Sequence, residues 1–499
     1  MAVCIRIDNR LRLDLGRLPP GLEEELKQAF VFANPGVAKL QGQAKRAKGP
    51  KRYALEARLR AMPSQVMLWE EHPDGTLSLP RGCLPELRDR LRNHGLRWAY
   101  EDARCQGHPA GPWHHRPDPK AVDGGELRWY QQEAIEVAVA RQNCLLRAPT
   151  GSGKTSTAIG LIARLGRSSL VVVDTGELAR QWVTRLCDEL GLQEADVGML
   201  GAGRWDLRPV TVAMRQTLAK RLPNATLEEA FGVVVVDEVH RAAATTFRGV
   251  VDQLPAFWRI GVSADETRPD KMEPLVYAVF GPVAHSVTRD VLIQEGSVLD
   301  VECLLVMTPF EAPWYVEQRA VMQPDHNRLL DEMTAHEARN QIIAGIMAEE
   351  NARGSQVLML THRVDHAKHV RGLVNDCGLA LGGVEYAGPR AAALDEMRAR
   401  TLLSVCGTVQ SLGTGIDLPS VEVGVLATPI GNNRQLYGQI RGRLSRPGEG
   451  KRPGLYVLWD HKVTGVATLR RMLEWNTAVQ VRDLSGVWRD GRAVLKEMA

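Results

Sequence analysis

Leu145-Leu146-Arg147-Ala148-Pro149-Thr150-Gly151-Ser152-Gly153-Lys154-Thr155 is the stretch that decides the fold. Leu145-Leu146-Arg147 reads as a strand feeding a loop. Glycines at 151 and 153 let that loop curl until its amides, and the N-terminus of the helix that follows, can hold negative charge. Lys154 is suited to neutralise the β- and γ-phosphates of a nucleotide, and the Thr155 hydroxyl to ligate Mg²⁺. Pro149, Thr150, Ser152 and Ser156 complete the expected phosphate-lining set. The strict phosphate-loop pattern has glycine where Ala148 stands, so this is a variant form.

Working outward, Val233-Val234-Val235-Val236 ends in Asp237-Glu238-Val239-His240. Four valines describe a central strand buried on both faces, which places Asp237 at its carboxyl end, where open α/β sheets bind their ligands. Asp237 is expected to hold Mg²⁺ and Glu238 to orient or deprotonate the attacking water. Upstream, Leu127-Arg128-Trp129-Tyr130-Gln131 opens a helix; the guanidinium of Arg128 and the amide of Gln131 can read an adenine edge. ATP and Mg²⁺ are the expected cofactors.

Apolar runs alternate with amphipathic stretches from Leu127 onward. A second series of the same kind starts near Gln356-Val357-Leu358-Met359-Leu360 and ends around Leu455-Tyr456-Val457-Leu458. The pattern is that of two tandem α/β domains with parallel sheets. The expected boundaries are a small N-terminal α+β accessory domain over 1–120, α/β domains over 121–305 and 306–470, and a C-terminal tail over 471–499. In the first part, Cys4 to Asp8 reads as a strand and Leu22 to Phe32 as a helix closed by Asn34-Pro35-Gly36. Gln65 to Trp69 and Leu77 to Pro80 read as strands paired around Asp74-Gly75, and Leu84 to His94 as a second helix. Gly107 to Gly125 has the composition of a linker.

The chain has 499 residues, a net charge of +4 and 24% charged residues, values of a globular protein with room for about three domains. No apolar run approaches the ~18 residues that span a bilayer, so no membrane role is expected. Eight scattered cysteines fit reduced thiols in a cytoplasm. Lys39, Lys45, Arg46, Lys48, Lys51, Arg52, Arg58 and Arg60 form a basic stripe with Glu56 as its one acid; it suits either phosphate binding or a solvated, partly disordered loop.

The order of these segments resembles superfamily 2 helicases from Leu127 to Trp459, and Ala148 is the usual residue of that superfamily's phosphate loop. The resemblance implies two RecA-like domains with ATP cleaved between them. Val173-Asp174-Thr175-Gly176-Glu177-Leu178-Ala179-Arg180-Gln181-Trp182 is similar to motif Ia, with Asp174 where proline is commoner, and Thr211-Val212-Ala213 to the segment after it. Gly261-Val262-Ser263-Ala264-Asp265 resembles motif III, with Asp265 where threonine is usual. Leu358 to Arg363 resembles motif IV, and Gly413-Thr414-Gly415-Ile416-Asp417-Leu418-Pro419 resembles motif V. Gln439-Ile440-Arg441-Gly442-Arg443-Leu444-Ser445-Arg446 resembles motif VI. By that resemblance Arg443 and Arg446 are arginine fingers, Gln439 couples to His240, and Gly415 and Asp417 touch nucleotide. Thr175, Arg180, Thr211, Thr361, Arg363 and Thr414 would contact nucleic acid.

Phe280 to Gly296 is similar to UvsW-like phage helicases and to the xeroderma pigmentosum group B type. Ile7-Asp8-Asn9-Arg10 and Leu79-Pro80-Arg81-Gly82 are similar to accessory domains of phage-type relatives. The implied protein is an ATP-dependent DNA helicase or translocase of a bacterial or phage-infected cytoplasm, acting on single-stranded, forked or branched DNA. Its competitors are a duplex translocase subunit of a nuclease or defence complex, an RNA helicase, and a non-motor ATP clamp. Cys105, His108, His114 and His115 lack the paired spacing of a structural zinc site.

Overall fold

The computed structural model describes residues 2–47, 49–117, 126–239, 249–264, 272–321, 325–412, 421–448, 450–476, 479–482, 484–489 and 492–497. The chain divides into two compact units, Met1–Pro149 with Gly153–Thr288, and Thr150–Ser152 with Arg289–Ala499. All eight cysteines are free thiols. Among the described residues no helix is long and apolar enough to cross a membrane.

The first unit opens with a five-stranded sheet in the order Glu70–Glu71, Thr76–Leu79, Leu11–Asp14, Ala2–Ile7, Arg97–Asp102. Alternation in Ala2–Ile7 buries Val3, Ile5 and Ile7 against Leu22, Leu26, Leu87 and Leu91 from two helices. Three sequence expectations change here. The first helix ends at Ala29, and Val31–Ala33 pairs as a strand with Gln65–Met67, so Gln65 to Trp69 is not the partner of Leu77 to Pro80; that partner is Glu70–Glu71. Asn34 opens a helix rather than closing one: its side chain accepts from Gly36 N–H and Pro35 takes the first helical position. The basic stripe is helical, over Pro35–Arg46 and Gly49–Ala61.

This sheet is joined to the α/β sheet of the same unit by buried charge. Arg10 donates Nη1–H to Asp252 Oδ2 (3.3 Å), Nε–H to Ser78 Oγ (3.1 Å) and Nη2–H to the Leu68 carbonyl (3.0 Å). Asp252 Oδ1 accepts from Arg259 Nη1 (3.3 Å), whose Nη2 reaches the carbonyls of Asn9 (2.9 Å) and Leu254 (2.8 Å). Arg81 donates to the carbonyls of Ala256 and Phe257. Burial lowers the pKa of Arg259 to about 10 and pushes Arg81 down as well. A Cβ on Gly82 would lie 2.1 Å from the Tyr277 carbonyl, so only glycine fits there. Asn9-Arg10 and Arg81-Gly82 therefore build this joint.

Residues 103–117 are a fastened strap and not a loose linker. They bridge at Cys105–Ala256 and Pro109–Arg167, Arg116 N–H donates to the Glu189 carbonyl (2.7 Å), and His115 pairs with Glu189 (2.9 Å). Residues 118–125 of the expected linker lie outside the described residues.

The α/β sheet of the first unit has eight strands in the order Arg204–Asp206, Val197–Gly201, Val210–Met214, Ser169–Val173, Val233–Asp237, Trp258–Ser263, Asn143–Arg147, Val283–Ser286. Only the edge pair Arg204–Asp206 with Val197–Gly201 is antiparallel. Val171, Val173, Val233 and Val235 pack toward Ile159, Ile162, Trp182 and Leu186. The intervening Val172, Val234 and Val236 pack toward Leu218, Phe231 and Phe280. Burial on both faces is why these runs lack polar alternation.

The second unit holds a seven-stranded parallel sheet in the order Cys377–Ala380, Ser404–Thr408, Val357–Thr361, Val423–Leu426, Gly454–Trp459, Glu302–Met307, Gln480–Arg482. Glu302–Met307 precedes the point where sequence periodicity placed the second series. The stretch read as a tail supplies the end of helix Ala467–Trp475, the edge strand Gln480–Arg482, and a hairpin of Leu484–Arg489 with Arg492–Glu497. Helix Glu337–Ala352 packs Ile342, Ile343, Ile346 and Met347 into the core.

Candidate nucleotide site and nucleic-acid face

The phosphate loop follows strand Asn143–Arg147, and Lys154 and Thr155 open helix Lys154–Leu165. Gly151 (φ +92°) and Gly153 (φ +78°) take the left-handed conformation the curl requires. A Cβ at Gly153 would lie 2.3 Å from Gln131 Nε2. Gln131 is buried and braces the loop: its Oε1 accepts from Arg128 N–H (2.8 Å) and its Nε2 donates to the Gly153 carbonyl (3.2 Å). The Arg128 guanidinium donates to Tyr130 Oη (3.0 Å). Lys154 Nζ donates to the carbonyls of Ala148 (3.2 Å) and Pro149 (3.4 Å). An ammonium held over a loop that needs two glycines fits a polyphosphate with its Mg²⁺.

Strand Trp258–Ser263 lies between the loop strand and Val233–Asp237. Ala148 N–H donates to the Ser263 carbonyl (3.0 Å), so the motif III strand is bonded directly to the root of the loop. Asp237 ends its strand, and Oδ2 accepts from Trp182 Nε1–H (2.9 Å). Glu238 follows in the left-handed region (φ +49°), a strained setting for a residue with a Cβ and a frequent mark of functional sites. Ser156 Oγ accepts from Arg185 (2.7 Å), and Arg185 in turn pairs with the buried Glu189. Trp182, Arg185 and Glu189 stand at three- and four-residue intervals on helix Gly176–Leu190, hence on one face. The hold of Trp182 on Asp237 is not part of the motif Ia resemblance; its signal in the sequence is a tryptophan in phase with Arg185 and Glu189.

In the second unit Gln439 and Arg443 are one turn apart on helix Arg434–Leu444, and Arg446 lies just beyond its end. Asn433 caps the helix through Leu436 N–H (3.0 Å). Arg441 is buried and pairs with Asp300 (2.8 Å), which fixes how the helix is rotated. His240, Asp265, Thr414, Gly415 and Asp417 lie outside the described residues.

Residues 124–267 match the family model described as type III restriction enzyme, res subunit. The chain is similar to the DNA 3'-5' helicase XPB of Mycobacterium tuberculosis, with 27% identity over 79% of this chain and 70% of that protein. It is also similar to the Rad25 protein of Haloarcula marismortui, with 27% identity over 64% of this chain and 50% of that protein. The chain is thus similar to superfamily 2 helicases of the XPB-like type. It spans about half the length of the Rad25 relatives it matches. Its fold is similar to S. cerevisiae Dbp5 bound to RNA and ADP BeF3, at a TM-score of 0.52 and 13% identity over 72% of this chain and 90% of that one. The fold class is therefore mixed α/β with tandem RecA-like domains.

The motif residues separate by exposure. Thr175 is exposed and caps helix Gly176–Leu190 through Leu178 N–H, and Arg180 is exposed one turn on. Thr211 and Thr361 are corrections. Thr211 is fully buried, its hydroxyl donating to the Arg208 carbonyl (2.7 Å), and Thr361 is fully buried against His366 (2.8 Å). Both hydroxyls shape the strand ends from inside and cannot touch nucleic acid in this fold. Arg363 is held by Asp331 (2.8 Å) and Asn327 (3.1 Å). Among the described residues no group of three or more His, Cys, Asp or Glu is arranged to hold a metal; Cys105 Sγ donates to the Glu229 carbonyl.

Proposed function

We propose that the protein is an ATP-dependent DNA helicase or translocase. The observation that carries the reading is the phosphate loop with Lys154 and the adjacent Asp237-Glu238 pair, all at the carboxyl ends of one parallel sheet. ATP with Mg²⁺ supplies the phosphoanhydride to be cleaved and the charge the site is built against. Lys154 exchanges its two loop carbonyls for phosphate oxygens. Thr155 and Asp237 are the residues suited to hold the metal, with Trp182 keeping the Asp237 carboxylate oriented. Glu238 positions the attacking water and takes its proton. Arg443 and Arg446 offset charge that develops on the phosphates, Arg128 selects adenine, and Gln131, whose amide is taken up by Arg128 N–H and the Gly153 carbonyl, holds the loop in place for the nucleotide. Backbone phosphates are the natural track because they carry little sequence information.

A duplex translocase that serves a nuclease is the second reading, favoured by the restriction-subunit description of the matching family model. One experiment separates these: steady-state ATPase of wild type and Lys154→Ala with no nucleic acid, single-stranded DNA, duplex, forked DNA and RNA. The helicase reading expects stimulation by single-stranded or forked DNA that Lys154→Ala abolishes. Stimulation by duplex alone selects the translocase, and equal rates under every condition refute both.

A further inference from the structure

We infer that the hairpin Val197–Gly201/Arg204–Asp206, with helix Arg215–Arg221 beside it, is a docking point for single-stranded DNA that extends the track on the first RecA-like domain. The inference rests on the proposed function and deepens it. Trp205 is 41% exposed on the edge strand of the sheet, and the Arg221 guanidinium lies over its ring at 5.0 Å. An exposed indole backed by a cation offers a face on which a base can stack. Between Arg204 and Arg221 the chain carries five basic residues and one acid, Asp206. Arg208 pairs with Asp206 (3.3 Å) and Arg215 with Asp174 (2.7 Å). Arg204, Lys220 and Arg221 are exposed and have no carboxylate partner among the described residues. A site with three spare cations around one exposed aromatic ring complements a polyanion that presents bases.

Register places this site on the correct edge. Leu200 stands level with Ala213, and Ala213 with Val172, so the turn Ala202-Gly203 projects from the same carboxyl edge as Thr175. Gly201, Ala202 and Gly203 all have positive φ (+141°, +50° and +82°), which makes the turn tight. A Cβ on Gly201 would lie 2.7 Å from Met214 Sδ, so the hairpin root sits against Met214. Met214 leads into Arg215, and Arg215 holds Asp174, the residue before Thr175. Three strand steps at about 4.8 Å put Trp205 roughly 14 Å from Val172, the residue level with it, and the three residues on to Thr175 add about 10 Å along the strand, a separation a few nucleotides can bridge.

The test is fluorescence anisotropy of a fluorescein-labelled 20-nucleotide oligothymidine and of a 20-base-pair duplex, with wild type, Trp205→Ala, Trp205→Phe and the triple variant Arg204→Ala/Lys220→Ala/Arg221→Ala. Loss of one stacked base weakens the oligothymidine complex by about fivefold to a hundredfold in Trp205→Ala. Trp205→Phe recovers most of that loss, and duplex affinity stays within twofold. The triple variant lowers the slope of log affinity against log salt by about 2, at ~0.7 per phosphate contact on single strands. Arg398→Ala, at the exposed end of helix Ala387–Arg398 in the second unit, is the control and changes nothing. Equal oligothymidine affinity in wild type and Trp205→Ala overturns the inference alone, as does an equal loss on both DNAs. A wild type that binds no DNA overturns the helicase reading and this site with it.

Discussion

Replacing Asp252 with alanine tests the joint between the N-terminal sheet and the first RecA-like domain. Asp252 is buried and its two oxygens face Arg10 and Arg259, each at 3.3 Å. Removing one partner of a buried ion pair costs about 3–5 kcal/mol, because the other charge is left uncompensated. Two features reduce that here. Both contacts are long for charge-assisted hydrogen bonds. Arg10 also keeps Glu70 at 3.2 Å, and Arg259 keeps two carbonyls. The expected loss is about 2–3 kcal/mol, or roughly 4–12 °C in Tm at ~2–4 °C per kcal/mol for a large domain. Differential scanning calorimetry should show it in one transition, that of the first unit, with the second unit's unmoved. The triple change Arg10→Met/Asp252→Leu/Arg259→Met removes the three buried charges that face one another together and should recover most of the loss. A loss under about 0.5 kcal/mol in Asp252→Ala, below the usual effect of core changes, would refute the claim that this carboxylate holds the joint, as would an equal shift of both transitions.

Three further outcomes follow from the geometry. Trp182→Phe keeps an aromatic ring but removes the N–H on Asp237 and part of a buried side chain, so Tm should fall modestly while ATPase activity or Mg²⁺ affinity falls about 10–100-fold; Mg²⁺ titrations matching wild type would exclude the role. Gly153→Ala forces a Cβ onto Gln131 in a left-handed turn, so fluorescent-nucleotide titration should show lost binding, and unaltered affinity would mean the loop opens without this brace. His366 is buried between Thr361 and Asn340, and burial holds its pKa down at about 3, against 6.5 for the free side chain. The folded value lies below the unfolded one, so this stability is complete above pH 6.5 and declines as pH falls toward 3, by about 1.4 kcal/mol per pH unit at most. Urea unfolding of the second unit at pH 7.5 and 5.5 measures it, and His366→Gln should flatten the difference; equal slopes in both proteins would refute the assignment.

The glycine loop before helix Lys154–Leu165, the strand end at Asp237 and the helix carrying Gln439 and Arg443 were legible as elements because each is a short contiguous stretch with a strong local signal. The same locality explains the misreadings. Asn34-Pro35-Gly36 contains both stop and start signals, and only the packing of Val31–Ala33 against Gln65–Met67 decides between them. Thr211 and Thr361 match motif positions, yet a one-dimensional pattern says nothing about which way a hydroxyl at a strand end faces. Burial answers that.

Sequence by itself determined the order of the elements: two α/β domains with parallel sheets, a glycine loop opening a helix, a carboxylate pair at a strand end, and an arginine-bearing helix following them. Those depend on local backbone geometry and on side chains within a few positions of one another. Tertiary structure alone decided what holds these groups in place. Trp182 meets Asp237 across 55 residues, and Arg10 meets Asp252 across 242. Neither pairing leaves a periodic trace, because a hydrogen bond between distant segments is chosen by the packing that brings them together.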